Sequence, residues 1–135
     1  MGLALSGGCN ALRVAQGIRM DSADWSMDGR TAERSSVAAG WVIPPLVSAW
    51  EADLGSGVGG GSPLAADSFV IVGTLRGEVL VFQASTGKRL GGTSFGDAVP
   101  GSPVLEGSII YIPLANAQES LVAYDLAGGK ILWRR

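Results

Sequence analysis

Apolar residues along this chain fall into short runs of about four positions, separated by glycine-rich turns, and the runs occur twice. The run at residues 69–72 (FVIV) returns 40 positions later as IIYI, and the run at residues 79–82 (VLVF) returns 42 positions later as LVAY. Short apolar runs bounded by turn residues are typical of β-strands. A repeat of this length, with several strands in each unit, predicts two copies of one antiparallel meander.

Each repeat unit is predicted to contain four strands. The first begins at a Gly-Ser-Pro tripeptide, the second and third are the apolar runs, and the fourth begins at a Gly-Lys pair, whose glycine supplies the positive φ of a short hairpin loop. Residues 46–50 (LVSAW) precede the first Gly-Ser-Pro as a fourth strand would, so we predict a strand there as well. The motif residues, to which we assign a structural role, are Gly61, Ser62, Pro63, Gly87, Lys88, Gly101, Ser102, Pro103, Asp125, Gly129, Lys130 and Trp133.

The apolar runs do not alternate between apolar and polar residues. An antiparallel strand with one face in water is expected to alternate, so these strands are expected to be covered on both faces. Sheets stacked about 10 Å apart supply that cover, and radial stacking of four-stranded sheets is the architecture of a β-propeller. We therefore predict an all-β fold of antiparallel four-stranded propeller blades, with about two blades in residues 46–135 and an irregular N-terminal segment before them.

The units resemble the repeats of the pyrroloquinoline-quinone-like (PQQ-like) β-propellers, a family that includes BamB-like outer-membrane assembly lipoproteins. A blade of that family starts at Gly-Ser-Pro and ends in Asp-x-x-Thr-Gly-Lys-x-x-Trp. The second unit reads DLAGGKILW at residues 125–133, with Gly128 in place of Thr, and the first reads QASTGKRLG at residues 83–91, with Gln83 and Gly91 in place of Asp and Trp. Since propellers typically have about 4–8 blades, the resemblance implies that this chain is the N-terminal part of a longer protein or a truncated reading frame.

Composition narrows the possible chemistry. The 135 residues are 47% apolar and 16% charged, so the chain is expected to bury most of its length. It has no His, which removes His-based acid–base catalysis and His metal ligands, and its single Cys cannot form an internal disulfide. A net charge of −2 without a basic patch does not favour nucleic acid. We assign no catalytic, cofactor or metal residue, and we interpret Asp67, Asp97 and Asp125 as turn residues.

The first nine residues, MGLALSGGC, are small and apolar and end at Cys9. They resemble the end of a bacterial lipoprotein signal, which precedes a lipid-modified cysteine, although the stretch is short and lacks the basic start. Two interpretations stay open: Cys9 carries a lipid and is the only link to a membrane, or residues 1–9 are an irregular terminus with an incidental thiol. Residues 10–45 are predicted to be a lead-in that caps the first sheet, with Trp25 as an anchor.

Three functions fit these features. The first is a non-enzymatic scaffold in the bacterial cell envelope, periplasmic or anchored to the outer membrane, whose partners are envelope proteins or missing propeller blades. The alternatives are a fragment of a quinone-dependent (PQQ) dehydrogenase or of a propeller sensor domain. The scaffold is preferred, because the sequence shows neither the adjacent cysteine pair nor the acidic calcium cluster of such dehydrogenases. Two blades alone leave apolar faces in water, so we expect the 135-residue chain to self-associate.

Overall fold

A computed structural model describes residues 11–14 and 16–135 of the chain, and it contains two four-stranded antiparallel sheets. Sheet 1 consists of β1 (Leu64–Ala66), β2 (Phe69–Gly73), β3 (Glu78–Gln83) and β4 (Arg89–Ser94). Sheet 2 consists of β5 (Val104–Glu106), β6 (Ile109–Pro113), β7 (Leu121–Asp125) and β8 (Lys130–Arg134). In both sheets the strands lie side by side in chain order. The predicted all-β fold of two antiparallel meanders is confirmed.

The two sheets are copies down to their irregularities. In both sheets the register between the third and fourth strands shifts by one residue, and the fourth strand carries the unpaired residue of the β-bulge, Leu90 in sheet 1 and Leu132 in sheet 2, 42 positions apart. A bulge increases the local twist and redirects the strand. The repeat in the sequence therefore extends to the path of the backbone.

The strand predicted at residues 46–50 is wrong. These residues are described, and they form no strand. A strand depends on backbone hydrogen bonds to a neighbour, and no backbone hydrogen bond in the described part of the chain joins this stretch to either sheet. The stretch is attached by a side chain instead: the indole N–H of Trp50 donates to the carbonyl of Ala84 at 2.8 Å.

The sheets stack face to face around a shared apolar core. We call the face that carries Phe82 in sheet 1, or Tyr124 in sheet 2, the front face, and the opposite side the back face. The back face of sheet 1 packs on the front face of sheet 2, and the front face of sheet 1 is covered by Ala52 and Leu54. The core residues shared between the sheets include Ile71, Val79, Val81, Ile110, Ile112 and Val122.

The back face of sheet 2 is only partly covered. Tyr111 and Trp133 lie against each other on it, with ring centroids 6.1 Å apart. Trp133 remains 37% exposed and Leu121 38% exposed. An open apolar face favours association, and the expected self-association of the chain stays a prediction.

The lead-in runs along the first strands of both sheets. Trp25 forms a backbone bridge with Ala65 of β1, with N–H···O distances of 2.6 and 2.9 Å, and the next carbonyl, that of Ser26, accepts from the amide of Leu105 in β5 at 2.8 Å. This segment therefore links the two sheets at the edges formed by their first strands.

Stacking of the sheets can be tested with two side chains of similar size. Ile110 is 0% exposed in the contact between the sheets, whereas Leu132 is 43% exposed. We expect Ile110→Ala to lower the free energy of unfolding by about 2–5 kcal/mol, because it removes buried methyl groups and leaves a cavity. Leu132→Ala should cost less than about 1 kcal/mol. Urea denaturation measures both, and equal losses would show that this contact does not hold the sheets together.

Candidate functional site

The two Gly-Ser-Pro motifs meet where the first strands of the sheets begin. The amide of Ser62 donates to the hydroxyl of Ser102 at 2.6 Å. Gly61 lies so close to the second motif that a Cβ there would be 2.2 Å from the Ser102 nitrogen. Only glycine permits this approach of two backbones. Pro103 is buried beneath the contact, and Pro63 is exposed.

A cleft of about 510 Å³ opens beside the paired motifs. Its walls include Met27, Asp28, Thr31, Arg34, Gly61, Gly101 and Ser102. The Asp28 carboxylate accepts a hydrogen bond from the Ser62 hydroxyl at 2.7 Å, which ties the lead-in to the first motif. The cleft thus presents backbone groups, one acidic and one basic side chain, and it can bind a polar chain segment by hydrogen bonding.

Four further motif residues, Gly87, Lys88, Gly129 and Lys130, lie at the turns before the fourth strands, while Asp125 ends β7 and Trp133 lies within β8. The amide of Gly87 donates to the carbonyl of Gln83 at 2.9 Å, and that of Gly129 to the carbonyl of Asp125 at 2.8 Å. The two glycines have φ values of 70° and 68°, as a short hairpin turn requires. Lys88 and Lys130, which follow them, are exposed. These residues shape the turns.

The acidic residues singled out in the sequence make local contacts. The Asp125 carboxylate accepts from the amides of Ala127 and Gly128 at 2.9 and 3.0 Å, which holds the turn of sheet 2. Asp67 accepts from the amide of Arg19 at 3.3 Å, and Asp97 accepts from the side chain of Asn116 at 2.8 Å. Each carboxylate is engaged within the chain, and the three lie at different turns.

Trp50 docks on the turn of sheet 1, a contact that the sequence interpretation missed. Its ring stacks on Phe82, with centroids 6.4 Å apart and an interplanar angle of 23°. A Cβ on Gly87 would lie 2.5 Å from the Trp50 ring, so the glycine is what admits the indole. The spacing in the sequence could have indicated this contact. Trp50 lies 11 positions before the first Gly-Ser-Pro, and Gly91, which stands where the family motif has Trp, lies 10 positions before the second.

Tyr124 in sheet 2 is the equivalent of Phe82 in sheet 1, and it is almost fully buried. Its hydroxyl donates to the carbonyl of Leu12 at 2.7 Å, and its ring meets Phe95 edge to face at 5.5 Å. Burial raises the pKa of Tyr124 above its usual value of 10.0. The Thr93 side chain lowers this pKa in part, and the charge of Asp125 raises it further.

An apolar segment before Trp50 is open to solvent. Trp41 is 99% exposed, Ile43 83% and Val47 87%. These side chains are near one another in the sequence, and large exposed apolar patches are typical of interaction surfaces.

Other kinds of site were sought in the described part of the chain. Within residues 11–14 and 16–135 no group of three or more Cys, Asp or Glu side chains is arranged to hold a metal ion. No helix in that part has the length and apolar character needed to cross a bilayer. Cys9, the candidate lipidation site, lies outside the described residues together with the rest of residues 1–10.

Two stacked four-stranded meanders, with the same motif residues at equivalent turns, define a pair of PQQ-like β-propeller blades. The family model described as outer membrane protein assembly factor BamB matches residues 47–135, which is more than half of the chain. The chain belongs to this family.

Solved structures show the same fold. Quinohemoprotein alcohol dehydrogenase from Comamonas testosteroni is similar with a TM-score of 0.71 and 22% identity, over 84% of this chain and 19% of that one. BamB from Moraxella catarrhalis is similar with a TM-score of 0.52 and 20% identity, over 64% of this chain and 26% of that one. The chain thus spans about a fifth to a quarter of the length of these proteins. No curated protein sequence matches it.

The raised pKa of Tyr124 predicts a loss of stability at alkaline pH. The neutral phenol contributes its full stability below the unfolded-state pKa of about 10, and this contribution is lost as the pH rises from there through the higher folded-state pKa. We expect the unfolding free energy of the wild type to fall more steeply above pH 10 than that of Tyr124→Phe, which cannot ionise. Tyr111→Phe, which removes a hydroxyl from the open back face, is the matched control. Urea denaturation at a series of pH values measures the slopes, and the same slope for wild type and Tyr124→Phe would refute the assignment.

Proposed function

We propose that this chain is part of a non-enzymatic β-propeller scaffold that binds other proteins of the bacterial cell envelope and serves outer-membrane protein assembly. The match of residues 47–135 to the BamB family model carries this proposal. The motif chemistry supports it, because Ser62, Ser102 and Asp125 use their side chains to hold neighbouring parts of the chain in place. These motifs form a frame for surfaces that meet other proteins.

The exposed segment 41–47 is the surface best suited to a protein partner. Burial of its side chains against a partner would stabilise the complex by about 25 cal/mol for each Å² of apolar area removed from water. Its backbone belongs to neither sheet, and Pro44 and Pro45 lack the N–H that strand pairing requires, so the segment offers its apolar side chains to a partner. We propose that an envelope protein covers Trp41, Ile43 and Val47.

Site-specific photocrosslinking tests this surface. A photoreactive residue at Trp41 or Val47, in the chain expressed with its natural flanking sequence in a bacterial host, should crosslink to a second envelope protein. The same residue at Ser85, in the exposed turn of sheet 1, is the control and should give no such product. Crosslinks only within the same polypeptide, or stoichiometric quinone binding in an absorbance titration, would contradict the proposal.

We propose further that a lipid on Cys9 anchors the protein to the membrane. The small apolar residues before Cys9 support this, since they match the type of residue that precedes a lipid-modified cysteine. The chain would then reside in the periplasm, attached through the lipid alone.

Metabolic labelling tests the anchor. A bacterial host that expresses the chain with its natural upstream residues and is grown with a radioactive fatty acid should incorporate label into the protein. Cys9→Ser should incorporate none, because the only thiol of the chain is gone. Equal labelling of both proteins would reject lipidation at Cys9.

A further inference from the structure

The cleft beside the two Gly-Ser-Pro motifs has one wall that comes from a loop of the lead-in, residues 29–36. The carbonyl of Gly29 accepts from the amide of Ser36 at 3.0 Å, which closes the loop on its first residue. The guanidinium of Arg30 donates to the carbonyl of Val37 at 2.7 Å. The loop is therefore held in shape by hydrogen bonds that are made outside the cleft.

Three non-glycine residues of this loop adopt left-handed backbone conformations. Arg30, Arg34 and Ser36 have φ values of 70°, 52° and 50°. Such residues are uncommon, and they tend to lie where a loop clamps a ligand. Arg34 is the one that lines the cleft. A Cβ on Gly29 would lie 2.8 Å from the Arg34 Cα and Cβ, so the start of the Arg34 side chain packs on the glycine backbone.

The guanidinium of Arg34 provides the free positive charge of the cleft. Within residues 11–14 and 16–135 it makes neither an ion pair nor a hydrogen bond, whereas Arg30 uses its guanidinium on backbone carbonyls. The acidic side chain of the cleft, Asp28, already accepts a hydrogen bond from the Ser62 hydroxyl at one carboxylate oxygen. The cleft therefore offers a cation to an anionic group and one oxygen of Asp28 to an N–H donor.

The opposite wall is glycine backbone. Gly61 and Gly101 line the cleft and are half-buried, and their amides donate no hydrogen bond in the part of the chain that the structure describes. Nothing lies within 4 Å of a Cβ placed on Gly60, so this wall has open space beside it. Backbone N–H groups without neighbouring side chains can approach an oxygen closely, as they do in anion-binding backbone sites.

A short peptide with a carboxylate matches all of these groups. Its carboxylate can meet the guanidinium of Arg34, which favours charge-assisted hydrogen bonds to carboxylates. Its other oxygens can accept from the glycine amides, and its N–H groups can donate to the free oxygen of Asp28, which a simple inorganic anion could not satisfy. The volume of about 510 Å³ lies within the range of about 300–1,000 Å³ that is typical of ligand sites, so a segment of a few residues fits.

We propose that this cleft binds the carboxylate of a short peptide segment, with Arg34 as the charge partner and the amides of Gly61 and Gly101 as backbone donors. The carboxylate belongs to a chain terminus or to an acidic side chain, since both present the same group. Segment 41–47 does not line the cleft, and the proposal does not rest on the proposed envelope function.

NMR titration of the isotope-labelled chain with three peptides tests the site. Acetyl-Gly-Ala-Gly-Ala with a free carboxyl end and acetyl-Gly-Glu-Gly-Ala-amide carry the carboxylate at its two possible places, and acetyl-Gly-Ala-Gly-Ala-amide carries none. Saturable shifts of the Gly61 and Gly101 amides with either carboxylate peptide support the proposal, and the tighter peptide identifies the source. The uncharged peptide should bind at least about tenfold more weakly. Equal affinity for the uncharged peptide, or no saturable shift with any of the three, would overturn the proposal.

Arg34→Gln tests the charge partner. Glutamine keeps the Cβ and Cγ that pack on Gly29, so the variant should melt at the wild-type temperature and bind the carboxylate peptides at least about tenfold more weakly. Arg76→Gln makes the same change of charge on an exposed side chain away from the cleft, and it should bind as the wild type does. Wild-type affinity in Arg34→Gln, or the same loss in both variants, contradicts the proposal.

Gly60→Leu supplies a second readout that leaves Arg34 in place. The fold should tolerate this side chain, because nothing lies within 4 Å of a Cβ there. The side chain would take up space in the cleft and should abolish the saturable shifts of the Gly61 and Gly101 amides. An unchanged titration in folded Gly60→Leu would count against the site in the same way.

Discussion

The contact between the back face of sheet 1 and the front face of sheet 2 is the interaction on which the rest of the structure depends. The central strands of both sheets are apolar on both faces, so neither sheet can leave its faces in water. Ile71 and Val81 of one sheet pack in the same core as Ile110 and Val122 of the other. Because each sheet is one layer, a face without a neighbouring sheet needs another cover. Ala52 and Leu54 supply it for the front face of sheet 1, whereas the back face of sheet 2 stays partly open.

The segments that cover the two sheets share one interaction, a hydrogen bond from an N–H group to a turn carbonyl. The front face of sheet 1 is closed by Ala52 and Leu54, with Trp50 hydrogen-bonded to the turn carbonyl of Ala84. The front face of sheet 2 receives sheet 1, and its turn is closed by the lead-in, with Val14 hydrogen-bonded to the carbonyl of Leu126. The turn carbonyl of Ala84 accepts from an indole and the turn carbonyl of Leu126 accepts from a main-chain amide, so either kind of N–H can pair with a carbonyl at this turn. The positive-φ glycine in each turn leaves the space for either group.

The strands could be predicted from the sequence, but the irregular segments that pack on the sheets could not. The offset between the two copies located all eight strands, because burial on both faces and turn glycines leave local patterns. Residues 46–50 carry an apolar pattern too, but residues 46–49 are exposed and Trp50 is held by its side chain, so an apolar run by itself does not establish a strand partner. Leu12 and Val14 gave no signal of their own. The only hint in the sequence is Gly91, which stands where the family motif has Trp. That Leu12 and Val14 cover the turn of sheet 2 is visible only in the tertiary contacts.

The position of the lead-in bears on the proposed anchor. Leu12 lies three positions after Cys9, and an extended chain spans at most about 3.3–3.6 Å per residue. A lipid on Cys9 would therefore be attached within about 11 Å of the Leu12 Cα.

Hydrogen exchange followed by NMR tests the shared interaction most directly. The account predicts that the Trp50 indole N–H and the Val14 amide exchange at least about tenfold more slowly than freely solvated groups, because both donate to turn carbonyls. The Trp41 indole, on a side chain that is 99% exposed, supplies the solvated reference within the same molecule. Exchange of the Trp50 indole at the rate of the Trp41 indole, or of Val14 at the rate of an unstructured amide, would contradict the account.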